Sequence, residues 1–78
     1  MEVIEVTAHF DMQGNITPLH FNWKEGVYQV ESTGRHWRDV EGWHILVMVV
    51  GERMYELIFH KSDGRWFIKQ PGPKRTFV

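Results

Sequence analysis

WHILVMVVGERMYELIFHKSDGRWFI, residues Trp43–Ile68, is the stretch whose reading decides the fold. From Trp43 to Val50 it is apolar at nearly every position, which suits a strand covered on both sides. Gly51-Glu52 follows, and a Gly in the first central position suits a two-residue type II′ turn. Arg53 to His60 then returns as a second strand. Ser62-Asp63-Gly64 turns the chain again, and Arg65 to Gln70 is a third strand. The two-residue turn pairs Val47 with Glu56, Ile45 with Ile58 and Leu46 with Leu57. A three-residue loop at Ser62-Asp63-Gly64 pairs Phe59 with Phe67 and Ile58 with Ile68. One face of this meander then carries Leu46, Met48, Tyr55, Leu57, Phe59 and Phe67. The other carries Trp43, Ile45, Val47, Val49, Ile58, Trp66 and Ile68.

Upstream, Ile4, Val6, Ala8 and Phe10 alternate with Glu5, Thr7 and His9, the pattern of a half-buried strand. Leu19, Phe21 and Trp23 alternate with His20 and Asn22 and give a second. Facing Phe10 with Leu19, Ala8 with Phe21 and Val6 with Trp23 keeps the apolar set on one side. Pro18 lacks an amide donor, so this strand starts at a sheet edge or has a free edge there. A four-residue loop, Lys24 to Val27, sets Trp23 against Tyr28 and Phe21 against Val30. Val27 to Glu31 is thus a third strand, fading at Ser32-Thr33-Gly34. Arg35 to Gly42 is polar and has no clean period, and reads as a loop or an irregular edge strand. Pro71-Gly72-Pro73 cannot continue a sheet. Residues 1–70 are therefore expected to form a single β domain and residues 71–78 a loose tail. Six short strands at close spacing indicate an all-β, antiparallel meander curled into a small barrel or a bent sandwich.

Composition narrows the classes. A chain of 78 residues has room for one domain, which buries roughly three-fifths of its unfolded surface. It has no Cys, hence neither a disulfide framework nor a thiolate metal site, which fits a cytoplasmic setting. The start, Met1-Glu2-Val3-Ile4-Glu5, lacks the features of a signal peptide, and no apolar run approaches the roughly 20 residues that span a bilayer. No membrane partner is expected. Nine basic and ten acidic side chains nearly cancel, which weakens a general case for phosphate neutralisation. Asn15-Ile16-Thr17 matches a glycosylation sequon, read as chance without a secretory signal.

Pro18, Phe21, Trp23, Tyr28 and Val30, then Trp37-Arg38, Tyr55-Glu56-Leu57 and Gly64-Arg65-Trp66-Phe67-Ile68, carry a resemblance over most of the chain. The pattern resembles a small uncharacterised bacterial family, found stand-alone or beside Y-family, translesion-type DNA polymerase-like proteins. The turns near Gly14 and Gly26 and the length after Trp37-Arg38 depart from that pattern. The resemblance implies no enzymatic activity; it implies an accessory or interaction role near DNA repair.

The residues themselves offer few sites. No Ser-His-Asp order, Gly-rich phosphate loop or Cys nucleophile is present, so neither a catalytic residue nor a cofactor is expected. Glu56 is the best acid–base candidate by pattern, on the same side as Ile45, Val47 and Ile58, where aliphatic neighbours can raise a carboxyl pKa. The simpler reading is that it accepts bonds from Arg53, Arg65 or solvent. His9 and His20 lie directly or nearly opposite one another on the polar face of the first hairpin, but zinc needs a third and a fourth ligand, and they read as solvated. His36, His44 and His60 show no ligand spacing, so no metal site is expected. In Arg35-His36-Trp37-Arg38 a Trp flanked by two guanidinium groups can stack a nucleobase while Arg35 and Arg38 meet phosphates, with Lys74 and Arg75 extending the track. Asp39 and Glu41 offset that charge, and the favoured reading has Trp37 capping an open barrel end with Arg38 across its face. Four Trp, two Tyr and five Phe mostly serve to fill a small core.

The two apolar faces of the meander suggest a partner. The first hairpin covers one, and the face with Trp43, Ile45, Val47, Trp66 and Ile68 is expected to meet a second copy or a protein partner. The rival is that barrel curvature, the Gly34–Gly42 loop and the tail cover it within one chain. The function expected is a non-enzymatic interaction module, accessory to DNA repair. The alternative is a single-stranded nucleic-acid-binding barrel that uses Trp37 with Arg35 and Arg38.

Overall fold

The computed structural model describes residues 2–69. It holds six strands: β1 Glu2–Phe10, β2 Ile16–Trp23, β3 Gly26–Asp39, β4 Gly42–Val49, β5 Arg53–His60 and β6 Arg65–Lys69. Each pairs antiparallel with the next, and β6 returns to β1 through Glu2–Ile68, Val3–Phe67 and Ile4–Trp66. The meander therefore closes into a barrel, the architecture expected. Among the described residues there is no helix.

Closure explains how so short a chain builds a core. One face of every strand points inward, and Phe21, Val47 and Leu57 reach 0 % exposure there. Aromatic rings supply much of the volume. Phe21 and Tyr28 stack with centroids 5.2 Å apart, and Tyr55 meets Trp23 edge-on at 5.3 Å. The Trp23 indole N–H finds its acceptor in Glu2 at 3.0 Å, which satisfies the one polar atom of a buried ring.

The turns depart from expectation, and the registers follow them. Glu52 N–H donates to Val49 C=O at 3.1 Å, and Gly51 has φ +97°. Gly51 thus occupies the third position of a type II turn, which demands a positive φ. The loop is Val50–Glu52, and Leu46 faces Glu56, Ile45 faces Leu57 and Val47 faces Tyr55. The next loop runs Lys61–Gly64, closed by Gly64 N–H on His60 C=O at 2.8 Å, and Phe59 faces Trp66. Each loop is one residue longer than expected, and a one-residue slip exchanges faces. Ile45, Val47, Tyr55, Leu57, Trp66 and Ile68 all turn inward, while His44, Leu46, Glu56, Ile58 and Phe67 lie on the outer side. The proposed dimer face is thereby corrected. Ile45, Val47, Trp66 and Ile68 are core residues of 0–7 % exposure, and Trp43 is half-buried. Glu56 does not share a side with Ile45 and Val47; it shares one with Ile58.

The first two hairpins keep their expected faces with different partners. Val6 faces Phe21, then the register shifts and Ala8 faces Pro18 and Phe10 faces Ile16. Leu19 is the extra residue and stays exposed, so buried Pro18 takes its expected place. Lys24-Glu25 is a two-residue turn, with Phe21 opposite Tyr28 and Trp23 opposite Gly26. Among the described residues β2 pairs with β3 over His20–Trp23 alone, so Pro18 does have a free edge beside it. Of the two alternatives for Arg35 to Asp39, the irregular edge strand is the one found. It is the end of β3, a strand of 14 residues paired with β4. Register shifts between Val30 and Ser32 and between Thr33 and His36 mark two bulges. Bulges break the two-residue period, which is why this stretch reads as irregular.

Candidate functional site

Two features stand out on this barrel: a histidine clamped between carboxylates on its outer surface, and an open seam between β2 and β3. The histidine is His44. Its register puts it in a transverse outer row, Val3–Phe67–Ile58–His44–Trp37, that crosses five strands. Trp37 lies flat on the imidazole, with centroids 5.0 Å apart and planes 9° apart. His44 is only 3 % exposed although it points away from the core.

Both ring nitrogens face carboxylates. Nδ1 is 2.5 Å from Glu56 Oε2, a diagonal neighbour on β5. Nε2 is 2.8 Å from Asp39 Oδ1 and 3.6 Å from Glu41 Oε1. These acids arrive through the β3–β4 turn, where Asp39 faces Gly42 and Glu41 N–H donates to Asp39 Oδ1 at 2.8 Å. Gly42 makes the turn possible. Its φ is +140°, and a Cβ there would sit 2.2 Å from Phe59 C=O. Burial pushes the His44 pKa down, but hydrogen bonds to Glu56 and Asp39 outweigh it and raise the pKa above 6.5. Asp39 is held below 3.8 by its bond to His44 and then by Glu41 N–H.

The seam opens because β2 and β3 diverge beyond His20 and Gln29. A cavity of about 320 Å³ fills the gap, with Gln13, Gly14, Asn15, Ile16 and Thr17 on one side and Thr33, His36, Trp43 and Ile45 on the other. The β1–β2 loop is preformed by Asp11, whose carboxylate accepts from Gln13 N–H at 2.9 Å and Asn15 N–H at 2.8 Å. Those bonds hold the Asp11 pKa low, the Asn15 amides counting most. Neither His44 nor Glu56 lines this cavity, so the clamp lies outside it.

The structure brings together part of what the sequence suggested. Arg35 and Trp37 meet, with the guanidinium 5.1 Å from the indole. Arg38 does not join them; it faces Trp43 across the pair and lies 5.1 Å from that ring. Trp37 stacks on the outer wall rather than capping a barrel end. His9 faces Thr17 and His20 faces Thr7, so the two are diagonal neighbours rather than directly opposed. Glu56 engages His44 rather than Arg53 or Arg65. Lys74, Arg75 and the tail fall outside the described residues. Sequence reasoning missed the set Asp39, Glu41 and His44. The usable signal was Asp39-Val40-Glu41-Gly42, a two-residue hairpin turn with one acid at the strand end and one in the loop, hidden while the stretch was left between a loop and an irregular edge strand.

Comparison of the chain with protein-family models, curated proteins and solved structures finds no match.

Proposed function

We propose that the protein is a small non-enzymatic interaction module that accepts an extended segment of a protein partner in the seam between β2 and β3. The observation that carries this reading is the divergence of those strands after His20–Gln29, which leaves the Glu31–Asp39 edge of β3 without β2 beside it. A free edge offers backbone donors and acceptors to an added strand, and a pocket beside it selects side chains. Ile16, Ile45 and Trp43 suit an apolar side chain, and Thr17, Thr33 and His36 supply polar contacts. The two bulges in β3 discourage long, flat pairing between copies and favour a short guest. Closure of the barrel also buries the apolar face that motivated a homodimer, which favours a different chain as partner.

The resemblance to a family found beside Y-family polymerase-like proteins makes a DNA repair protein the first partner to assay. Selection from a displayed random-peptide library tests the seam directly. Enriched peptides should be extended and apolar at one anchor, should shift amide resonances of β3 and Asn15–Thr17 in NMR spectra, and should bind weakly to Ile16→Asp. Peptides that shift only resonances elsewhere would refute the proposal.

A second reading, single-stranded nucleic-acid binding, is favoured by the Arg35–Trp37 pair on the outer wall. It requires binding of labelled oligonucleotides that weakens steeply as salt rises and falls in Arg35→Ala. No polarisation change at low salt removes it.

A further inference from the structure

We propose that Asp39, Glu41 and His44 bind a divalent first-row transition ion, with Glu56 as the residue that orients the imidazole. A neutral imidazole has one N–H to give. Glu56, 2.5 Å from Nδ1, takes it. In that neutral form Nε2 is free to bind a metal and faces Asp39 Oδ1 at 2.8 Å and Glu41 Oε1 at 3.6 Å; in the charged ring the same nitrogen donates to Asp39. One imidazole nitrogen and two carboxylates thus converge on one point, and a divalent ion bound there would replace the proton that Nε2 otherwise carries. The ring has no escape by rotation, since it is 3 % exposed and covered by Trp37.

The spacing suits one ion. The three ligand atoms lie within 4.8 Å of one another. Donors about 2.1 Å from a tetrahedral ion are roughly 3.4 Å apart, and the two distances from Nε2 straddle that figure. Asp39 and Glu41 are 45 % and 49 % exposed, so small side-chain shifts and a water ligand can complete the shell. The buried side points to a ligand independently of the two acids. A carboxylate on the far nitrogen of a metal-bound histidine fixes its tautomer and raises its basicity, and Glu56, 15 % exposed, stands in that place. One nitrogen and two carboxylates make a borderline donor set that fits Zn²⁺ or its first-row neighbours better than Ca²⁺ or Mg²⁺, which take oxygen. The site lies outside the seam and does not depend on the function proposed for it.

Calorimetric titration of the chelator-treated full chain with Zn²⁺ provides the test. The expected result is one Zn²⁺ per chain, bound at least about tenfold more weakly by Asp39→Asn and by Glu41→Gln, and about ten- to a hundredfold more weakly by Glu56→Gln. Asp39 and Glu41 are surface residues, and metal-free circular dichroism confirms that their variants fold. Cobalt titration of the same proteins should give visible ligand-field bands that these variants lose. His9→Ala and His20→Ala should bind as the parent does. Absence of binding at about 100 µM Zn²⁺ would overturn the proposal. So would binding that survives both Asp39→Asn and Glu41→Gln, or that vanishes with His9 or His20.

Discussion

Trp37 lies parallel to His44 with ring centroids 5.0 Å apart, and this contact turns an outward-facing histidine into a buried one. A polar ring on a barrel's outer wall would ordinarily be wet. Here the indole removes water from one side, and Glu56 and Asp39 take both nitrogens. Trp37→Ala should rehydrate the imidazole and remove the stacking contact. The expected loss of stability is roughly 1–3 kcal/mol, from the buried ring area and the aromatic pairing. Urea unfolding measures it; a midpoint equal to the parent's would mean that the stack contributes nothing.

The clamp also sets a pH dependence in chelator-treated protein. His44 is raised above 6.5 because its bonds to Glu56 and Asp39 outweigh burial. Its contribution to stability is therefore complete below pH 6.5 and is lost as pH rises through the raised value. Asp39 is held below 3.8, mainly by His44. Its contribution is present above pH 3.8 and is lost as pH falls through the lowered value. The melting midpoint should thus be highest between about pH 4 and pH 6 and decline beyond pH 6.5. Glu56→Gln should flatten the alkaline decline. A midpoint that climbs steadily from pH 6 to about pH 8 would contradict the assignment.

Register makes a sharper test than composition. Val47 faces Tyr55 inside the barrel at 0 % exposure, and Met54 faces Met48 on the outside at 43 %. Val47→Glu should place an unpaired carboxylate in the core, at a cost that rivals a small domain's entire stability of roughly 5 kcal/mol. Met54→Glu should change stability by no more than about 0.5 kcal/mol. Far-UV circular dichroism distinguishes the two. A folded Val47→Glu protein would show that Val47 does not face the core.

Much of this fold was legible because strand alternation and turn residues survive small errors of register. Val6, Ala8, Phe10, Phe21 and Trp23 share a side in the expected and in the observed register, because the extra residue Leu19 offsets the odd loop Asp11–Asn15. The Trp43–Ile68 meander shows where that tolerance ends. Gly51 fits the first position of a two-residue turn and the third of a type II turn equally well, and the choice moves every later residue to the other face. The clamp was illegible for the same reason. Glu56 and His44 become neighbours only in the observed register, and Asp39 reaches them only because bulged β3 continues to the turn. What sequence pattern did carry, Trp37 beside Arg35, came through because it is local.

The seam predicts a specific unevenness in hydrogen exchange. Amides of β4 and β5 are flanked by strands on both sides, and the buried residues Val47, Val49, Leu57 and Ile58 lie among them. Their exchange should require opening of most of the domain. The distal half of β3 is paired with β4 alone, and residues 31–36 are exposed. Amides there that point to the seam should exchange far faster than those of Phe21 and Tyr28, where β2 and β3 still pair. A guest strand in the seam should slow these same amides and leave β4 and β5 unchanged, since their opening already reports the whole fold. Uniform protection along β3 in the free protein would mean that the seam is closed in solution, and the edge on which the docking proposal stands would not exist.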